Sequence, residues 1–307
     1  MKKLKFVVSI PSDTLYLRAQ TAAAQVVADR LGIELEIINA GMDAVAQGQL
    51  LLDIILSKTA QKPAGILVEP VSAAGLPRVA EASVAAGVAW VVNNAHVDYL
   101  SALRRTAKVP VFQISQDHVE VGKIQGRQIG SILPGGGSVL YLRGPAMSWW
   151  ATRRLDGLDQ SKPKNIDVKA LKVIGSSADN AFTAVSSWLG LTHPKPESVQ
   201  LVVSQNADFA LGARKAFETT PVAERAKWLA IPRAGVGVAE RSRPLVDQGT
   251  LCAGVVTSLT MDRGVEMLAR ALADGSQPPE HTFVEAYSYP SVEDLATKWR
   301  GAVLQKQ

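Results

Sequence analysis

Cysteine is almost missing from this chain: of 307 residues only Cys252 is one, so no intramolecular disulfide braces the fold. Its place in an apolar run makes it a small core residue, which says nothing about compartment. Histidine is scarce too. His96, His118, His193 and His281 lie far apart without metal-ligand spacing, so we expect no metal and no cofactor, and His96 and His118 read as structural or surface residues. No uncharged apolar run approaches the roughly 18 residues that cross a bilayer, so no membrane insertion is expected. The opening is basic, but only residues 6–10 are apolar before Pro11. That is short of the roughly 7 to 15 residue apolar region of a secretory signal. Either the chain is cytoplasmic, or this is a mature form whose signal has been removed.

The motifs of common enzymes are absent as well. There is no G-x-S-x-G elbow, no G-x-x-x-x-G-K-[ST] and no C-x-x-C. Gly235-Val236-Gly237 lacks the third glycine of a dinucleotide fingerprint, and Gly135 to Gly137 precede a strand instead of a helix. No catalytic set emerges, and an enzyme is not expected. The net charge is +5, yet 33 Lys and Arg are interleaved with 28 Asp and Glu. The densest basic spots, Lys2, Lys3 and Lys5 and then Lys162 with Lys164, read as solvated surface. No helix-turn-helix precedes the first strand, so no nucleic acid partner is expected.

What is present is a recurring change of pattern, clearest at residues 199–217, V-Q-L-V-V-S-Q-N-A-D-F-A-L-G-A-R-K-A-F. Residues 199–204 read as a strand buried on both faces, and from Ala207 apolar residues recur at helical spacing. Gln205 and Asn206 therefore stand at the carboxyl end of a strand, where open α/β sheets bind ligands. An amide donates and accepts, which suits a neutral polyhydroxy ligand; equally, Asn206 caps the helix.

The same alternation runs along the whole chain. Strands are expected at 5–10, 34–40, 65–68, 88–92, 109–114, 138–142, 168–174, 199–204, 228–232, 251–257 and 282–286, with helices between them and no hairpin signal, which predicts doubly wound parallel α/β structure. About ten strand–helix units crowd a single twisted sheet, so two lobes are expected. No low-complexity linker separates them, and the chain is expected to cross near residues 115–117, 257–258 and 286–289. Several crossings make a hinge whose halves move as rigid bodies.

Polar and aromatic residues recur just after strands: Ser9, Asp13 and Tyr16; Glu69; Asn93 and Asn94; Asp117; Trp149, Trp150, Arg153 and Arg154; Gln205 and Asn206; Thr257. Sugars need this mixture, because hydroxyls exchange hydrogen bonds with polar groups while ring C–H faces pack on aromatics. Each residue has a plainer reading. One of the two Trp residues packs into its own lobe, Arg153 and Arg154 are surface charges on their helix, or Glu69 merely ends a strand.

Five stretches carry a family resemblance: F-V-V-S-I-P-S-D at 6–13, G-I-L-V-E-P at 65–70, S-Q-D-H-V-E-V-G-K-I-Q-G at 115–126, R-R-L-D-G at 153–157 and S-Q-N-A-D-F-A-L-G-A at 204–213. In them the chain resembles the type I periplasmic sugar-binding proteins, the ribose- and galactose-binding family of ABC transporter components, which share their fold with the ligand-binding core of the lactose-repressor family. The resemblance implies two Rossmann-like lobes with parallel sheets joined by a three-strand hinge, residues 1–115 with 258–286 and residues 116–257 with 287–307. It places ligand contacts at Ser9, Asp13, Leu15, Tyr16, Glu69, Asn94, Arg153 or Arg154, and Asn206, with Gly237 and Thr257 at further family positions, and the strand-end residues Asn93, Trp149 and Trp150 complete the expected ligand-binding set. Ala95 stands where ribose binders carry an arginine, Gly237 where an aspartate is common, and Thr257 where a glutamine is frequent, so the resemblance implies a sugar or polyol without singling out ribose or galactose. It also implies a monomer that closes on its ligand in the periplasm and presents it to an ABC transporter permease. A cytoplasmic or receptor-coupled sensor is the alternative function, and an enzyme acting on a sugar or nucleotide in the interlobe cleft a second one.

Overall fold

The protein's structure is a computed structural model that describes residues 3–59, 61–145 and 148–304, so Lys2 of the basic opening lies outside the described residues. The apolar run after Lys5 forms β1 (Lys5–Ile10), in which Phe6, Val7 and Val8 are wholly buried because the strand is covered on both faces. Thr14 caps α1 (Leu15–Leu31), which stops at Gly32 in a left-handed conformation, φ 67°. There follow β2 (Glu34–Asn39), α2 (Ala44–Leu56), β3 (Gly65–Val68), α3 (Pro77–Ala85), β4 (Ala89–Asn93), α4 (Leu100–Thr106) and β5 (Val111–Gln116).

The pattern then repeats with α5 (His118–Ile132), β6 (Gly137–Arg143), α6 (Trp149–Ser161), β7 (Ile166–Lys172), α7 (Ala178–Thr192), β8 (Leu201–Ser204), α8 (Ala207–Glu218), α9 (Val222–Ala230), β9 (Arg233–Val238), α10 (Ala239–Asp247) and β10 (Ala253–Thr257). The chain ends with α11 (Met261–Asp274), β11 (His281–Val284), β12 (Ala286–Tyr289) and α12 (Val292–Leu304).

Two compact units result, Met1–Gln116 with Leu259–Val284 and Asp117–Ser258 with Glu285–Gln307. The first holds a six-stranded sheet in the order β11-β5-β4-β3-β1-β2, parallel throughout. In the second the order is β12-β10-β9-β8-β6-β7. Each sheet is sandwiched between two apolar clusters, and its strand order reverses once, between β1 and β3 and between β6 and β8. These are the switch points at which doubly wound sheets leave a crevice beyond the strand carboxyl ends.

Three expectations need correction. Residues 228–232 are not a strand: Trp228 sits in α9, stacked on Phe217 at 5.0 Å and edge-on to Trp188 at 5.9 Å, and the strand is β9. Tertiary packing of the indole outweighs the local apolar run. Residues 282–286 are not one strand either, because β11 joins the first sheet while β12 pairs antiparallel with β10 in the second, breaking its otherwise parallel order. The helix expected between the strands at 65–68 and 88–92 is interrupted: a 3-10 turn, Ala73–Gly75, precedes α3, which begins at Pro77.

Candidate functional site

In the first unit the carboxyl ends of β1, β3 and β4 lie side by side, since Ser9 registers with Val68 and Val68 with Val92. Glu69, the next residue after β3, donates its backbone N–H to the Ser9 carbonyl at 2.9 Å. Gln47 of α2 bolts this junction: its Nε2 donates to Ser9 Oγ and to the Glu69 carbonyl, both at 3.0 Å, and its Oε1 accepts from the Val71 N–H at 2.9 Å. Ser9 and Gln47 are buried, so the Ser9 hydroxyl serves the unit's interior.

The Glu69 side chain turns toward β4. Asn93 Nδ2 donates to Glu69 Oε2 at 2.8 Å, and the Asn94 side chain is hydrogen-bonded to the same carboxyl. Burial outweighs both amides and pushes the carboxyl up to about 7. Asn94 holds a left-handed backbone, φ 51°, with its N–H donating to the Ile114 carbonyl at 2.7 Å. The Oδ1 atoms of Asn93 and Asn94 are buried and accept no hydrogen bond among the described residues. On the same sheet face, Tyr16 of α1 receives hydrogen bonds on its hydroxyl from Gln20 at 2.5 Å and Gln116 at 3.2 Å.

Two residues of the α1 entrance stand apart. Asp13 is closed in a two-pronged pair with Arg18, at 2.8 and 2.6 Å, which holds its carboxyl below the usual carboxylate range. Leu15 is 72% exposed.

In the second unit α5 and α6 cross at close quarters and carry a linked aromatic and cationic group. Arg154 is buried, donates to the Gln205 carbonyl, approaches His118 Nδ1 with its Nε at 3.4 Å and lies 5.2 Å from the centre of the Trp150 ring. His118 in turn meets Trp149 edge-on at 5.1 Å. Gln205 spans the second switch point, with Oε1 accepting from the Gly144 N–H at 2.9 Å and Nε2 donating to the Ala151 carbonyl at 2.8 Å. It is wholly buried and both ends of its amide are engaged within the unit, so its amide is structural.

Asn206 does cap α8: its Oδ1 accepts from the Asp208 N–H at 2.9 Å while its Nδ2 donates to the Ser176 carbonyl at 3.1 Å. Asp117 likewise caps α5 through the Glu120 N–H at 2.9 Å. Arg153 points out and pairs with Asp156 at 3.5 Å. Gly237 and Thr257 lie at the ends of neighbouring strands, and a Cβ added at Gly237 would come within 2.8 Å of Ser242 Oγ, so a side chain there requires that hydroxyl to shift.

Each half thus offers amides, an aromatic side chain and an ionisable group, and the serine–histidine contact of the first unit, Ser115 Oγ to His281 Nε2 at 2.8 Å, has its serine wholly buried in β5. No group of three or more His, Cys, Asp or Glu among the described residues could hold a metal. No helix among them is long and apolar enough to cross a membrane.

Comparison with known proteins decides the family. The family described as "Periplasmic binding protein domain" matches residues 4–276. The chain belongs to that family. It is a family of binding domains. A galactofuranose binding protein is similar at 19% identity over 97% of this chain and 99% of its own, with a TM-score of 0.77. An ABC transporter solute binding protein from Mycobacterium smegmatis with bound glycerol is similar at 24% identity over 96% of both chains, TM-score 0.75. The fructose binding periplasmic domain of a hybrid two-component system is similar at 19% identity, covering 99% of this chain and 96% of its own, TM-score 0.74. No curated protein sequence matches the chain.

Within this binding-domain fold, sequence reasoning misses two buried helix amides, Gln47, which holds the first junction, and Gln20, which joins Tyr16 to the start of α11. Their only signal is an amide on an otherwise apolar helix face. His118 is not a bystander, because it packs between Arg154 and Trp149.

Proposed function

We propose that the protein is a solute-binding component that captures one sugar or polyol between its two units and presents it to an ABC transporter. The observation that carries this reading is that amide and aromatic side chains both stand at the strand ends of each unit: Asn93, Asn94 and Tyr16 in one, Asn206, Trp149 and Trp150 in the other. Hydroxyls exchange hydrogen bonds with the amides while the C–H face of the ligand rests on the rings. Asp13, with its carboxylate spent on Arg18, and the outward Arg153 stand at the margin of the site. The ligands named for the similar galactofuranose- and glycerol-binding structures support the class. The protein works as a monomer outside the cytoplasmic membrane, and no reaction is performed on the ligand.

A second reading, a sensor that reports the same ligand to a receptor, is favoured by the likeness to the periplasmic domain of a two-component system. Thermal denaturation against pentoses, hexoses, inositols and glycerol tests the class. At about 100 times the dissociation constant a ligand stabilises the fold by roughly 2.7 kcal/mol, and we expect a clear rise in Tm for at least one of them. Asn94→Ala and Trp150→Ala, one in each unit, are expected to weaken that ligand at least about tenfold, the loss of one good polar or aromatic contact. If every sugar and polyol leaves Tm unchanged, the class is wrong; recovery of the ligand chemically altered would show an enzyme instead.

A further inference from the structure

We infer that capture of a hydroxyl-bearing ligand expels a proton from Glu69, so that the strength of binding is set by pH. The inference rests on the reading of the site as one for a sugar or polyol. It starts from an imbalance at the first switch point. Both neighbouring amides are turned to the Glu69 carboxyl, and this leaves Asn93 Oδ1 and Asn94 Oδ1 buried without a donor among the described residues. Asn93 as a residue has no exposure at all. The cluster is rich in acceptors and short of donors.

In the empty protein the missing donor is found most cheaply by keeping Glu69 as the acid, whose O–H can serve an oxygen of the cluster. Burial favours the same form, and the carboxyl loses its proton only near pH 7. Neighbouring hydroxyls of a sugar bring donors of their own. One hydroxyl donating to the carboxylate favours the ionised form, and a second satisfies an amide oxygen, so the proton is no longer needed and leaves for solvent. The step balances: Glu69 carboxylic acid plus ligand plus one water gives carboxylate hydrogen-bonded to ligand plus one hydronium.

Among the described residues no charged side chain acts on the Glu69 carboxyl. The residue meets the Ser9 carbonyl from β1, the Gln47 amide from α2, and the Asn93 and Asn94 amides from β4 and the turn beyond it, none of which ionises in this range. On α1 the Tyr16 hydroxyl is engaged by two glutamines, and Asp13 and Arg18 neutralise each other.

The test is isothermal titration calorimetry with myo-inositol, D-allose, L-arabinose, D-galactose and glycerol as probes, at pH 6 and pH 8 and in buffers of different ionisation enthalpy. For a probe that binds, affinity should be about tenfold higher at pH 8, and about half a proton should be released at pH 7, as follows for a group that is half ionised there when empty and fully ionised when occupied. Glu69→Gln keeps the amide contacts and should bind with no pH dependence and no proton release. Equal affinity at the two pH values, or proton uptake, overturns the inference and leaves the polyol reading standing. If no probe binds at either pH, the reading itself falls and the inference with it.

Discussion

Glu69 sits under two opposed demands: β1, α2 and β4 close around it, while two amides favour its charge. Because burial prevails and moves the folded-state value from 4.5 to about 7, the direction of its effect on stability is determined. Below the unfolded value both states hold the proton and nothing is at stake. Between 4.5 and about 7 the unfolded chain has released the proton and the folded one still holds it, so stability falls as pH rises, by at most on the order of 3 kcal/mol in total. Above that range the loss is complete. Glu69→Gln removes the charge and keeps the shape, so urea denaturation should find the variant more stable than the parent by about 1–3 kcal/mol at pH 8, with the gap closing toward pH 4.5. A gap that stays constant with pH would mean the carboxyl is not held as an acid. The residue scale is also where the sequence is least legible. Local pattern places Gln205 and Asn206 at a strand end, but only packing decides that the first bridges Gly144 and Ala151 and the second caps α8.

Among the elements, the α5–α6 crossing explains why two of the stretches that carry the family resemblance look as they do. A Cβ at Gly122 would lie 2.0 Å from the Arg154 carbonyl oxygen, and one at Gly157 would lie 1.9 Å from that of Val119. The two helices touch backbone to backbone, and this contact brings His118 and Arg154 together. Gly122→Ala forces backbone apart and should cost about 3 kcal/mol or more in the unfolding of the second unit. Gly190→Ala, in α7 with open space around it, should instead gain about 0.5–1 kcal/mol from helix propensity. If chemical denaturation shows the two substitutions to be equivalent, the close approach is not what those glycines serve. Most strands and helices are legible from their periodicity, since residues buried on both faces give unbroken apolar runs. Those that are not, α9 and the division between β11 and β12, depend on partners distant in sequence: Phe217 and Trp188 for Trp228, and two different sheets for one apolar run.

At the scale of the molecule, the chain passes between the units three times, between residues 116 and 117, 258 and 259, and 284 and 285. Two sheets are legible because the strand–helix units are too many for one. Three crossings restrain twist and translation more than a single tether, which favours a hinge about one axis. A ligand drives closure only through contacts it makes in the closed form, and moving the population from 1:99 to 99:1 takes about 5.5 kcal/mol of such contacts. On the proposed reading, a few hydrogen bonds at about 1 kcal/mol each in one half-site fall short of that, so closure would require both half-sites to engage. Small-angle scattering should therefore record a smaller radius of gyration when the protein is saturated with a sugar or polyol that raises its Tm. In Trp150→Ala, which cripples the second half-site and leaves the first intact, the same ligand at saturation should contract the protein less. An unchanged radius in the parent protein would mean that the units are already fixed before the ligand arrives, and that a transporter or receptor reads something other than closure.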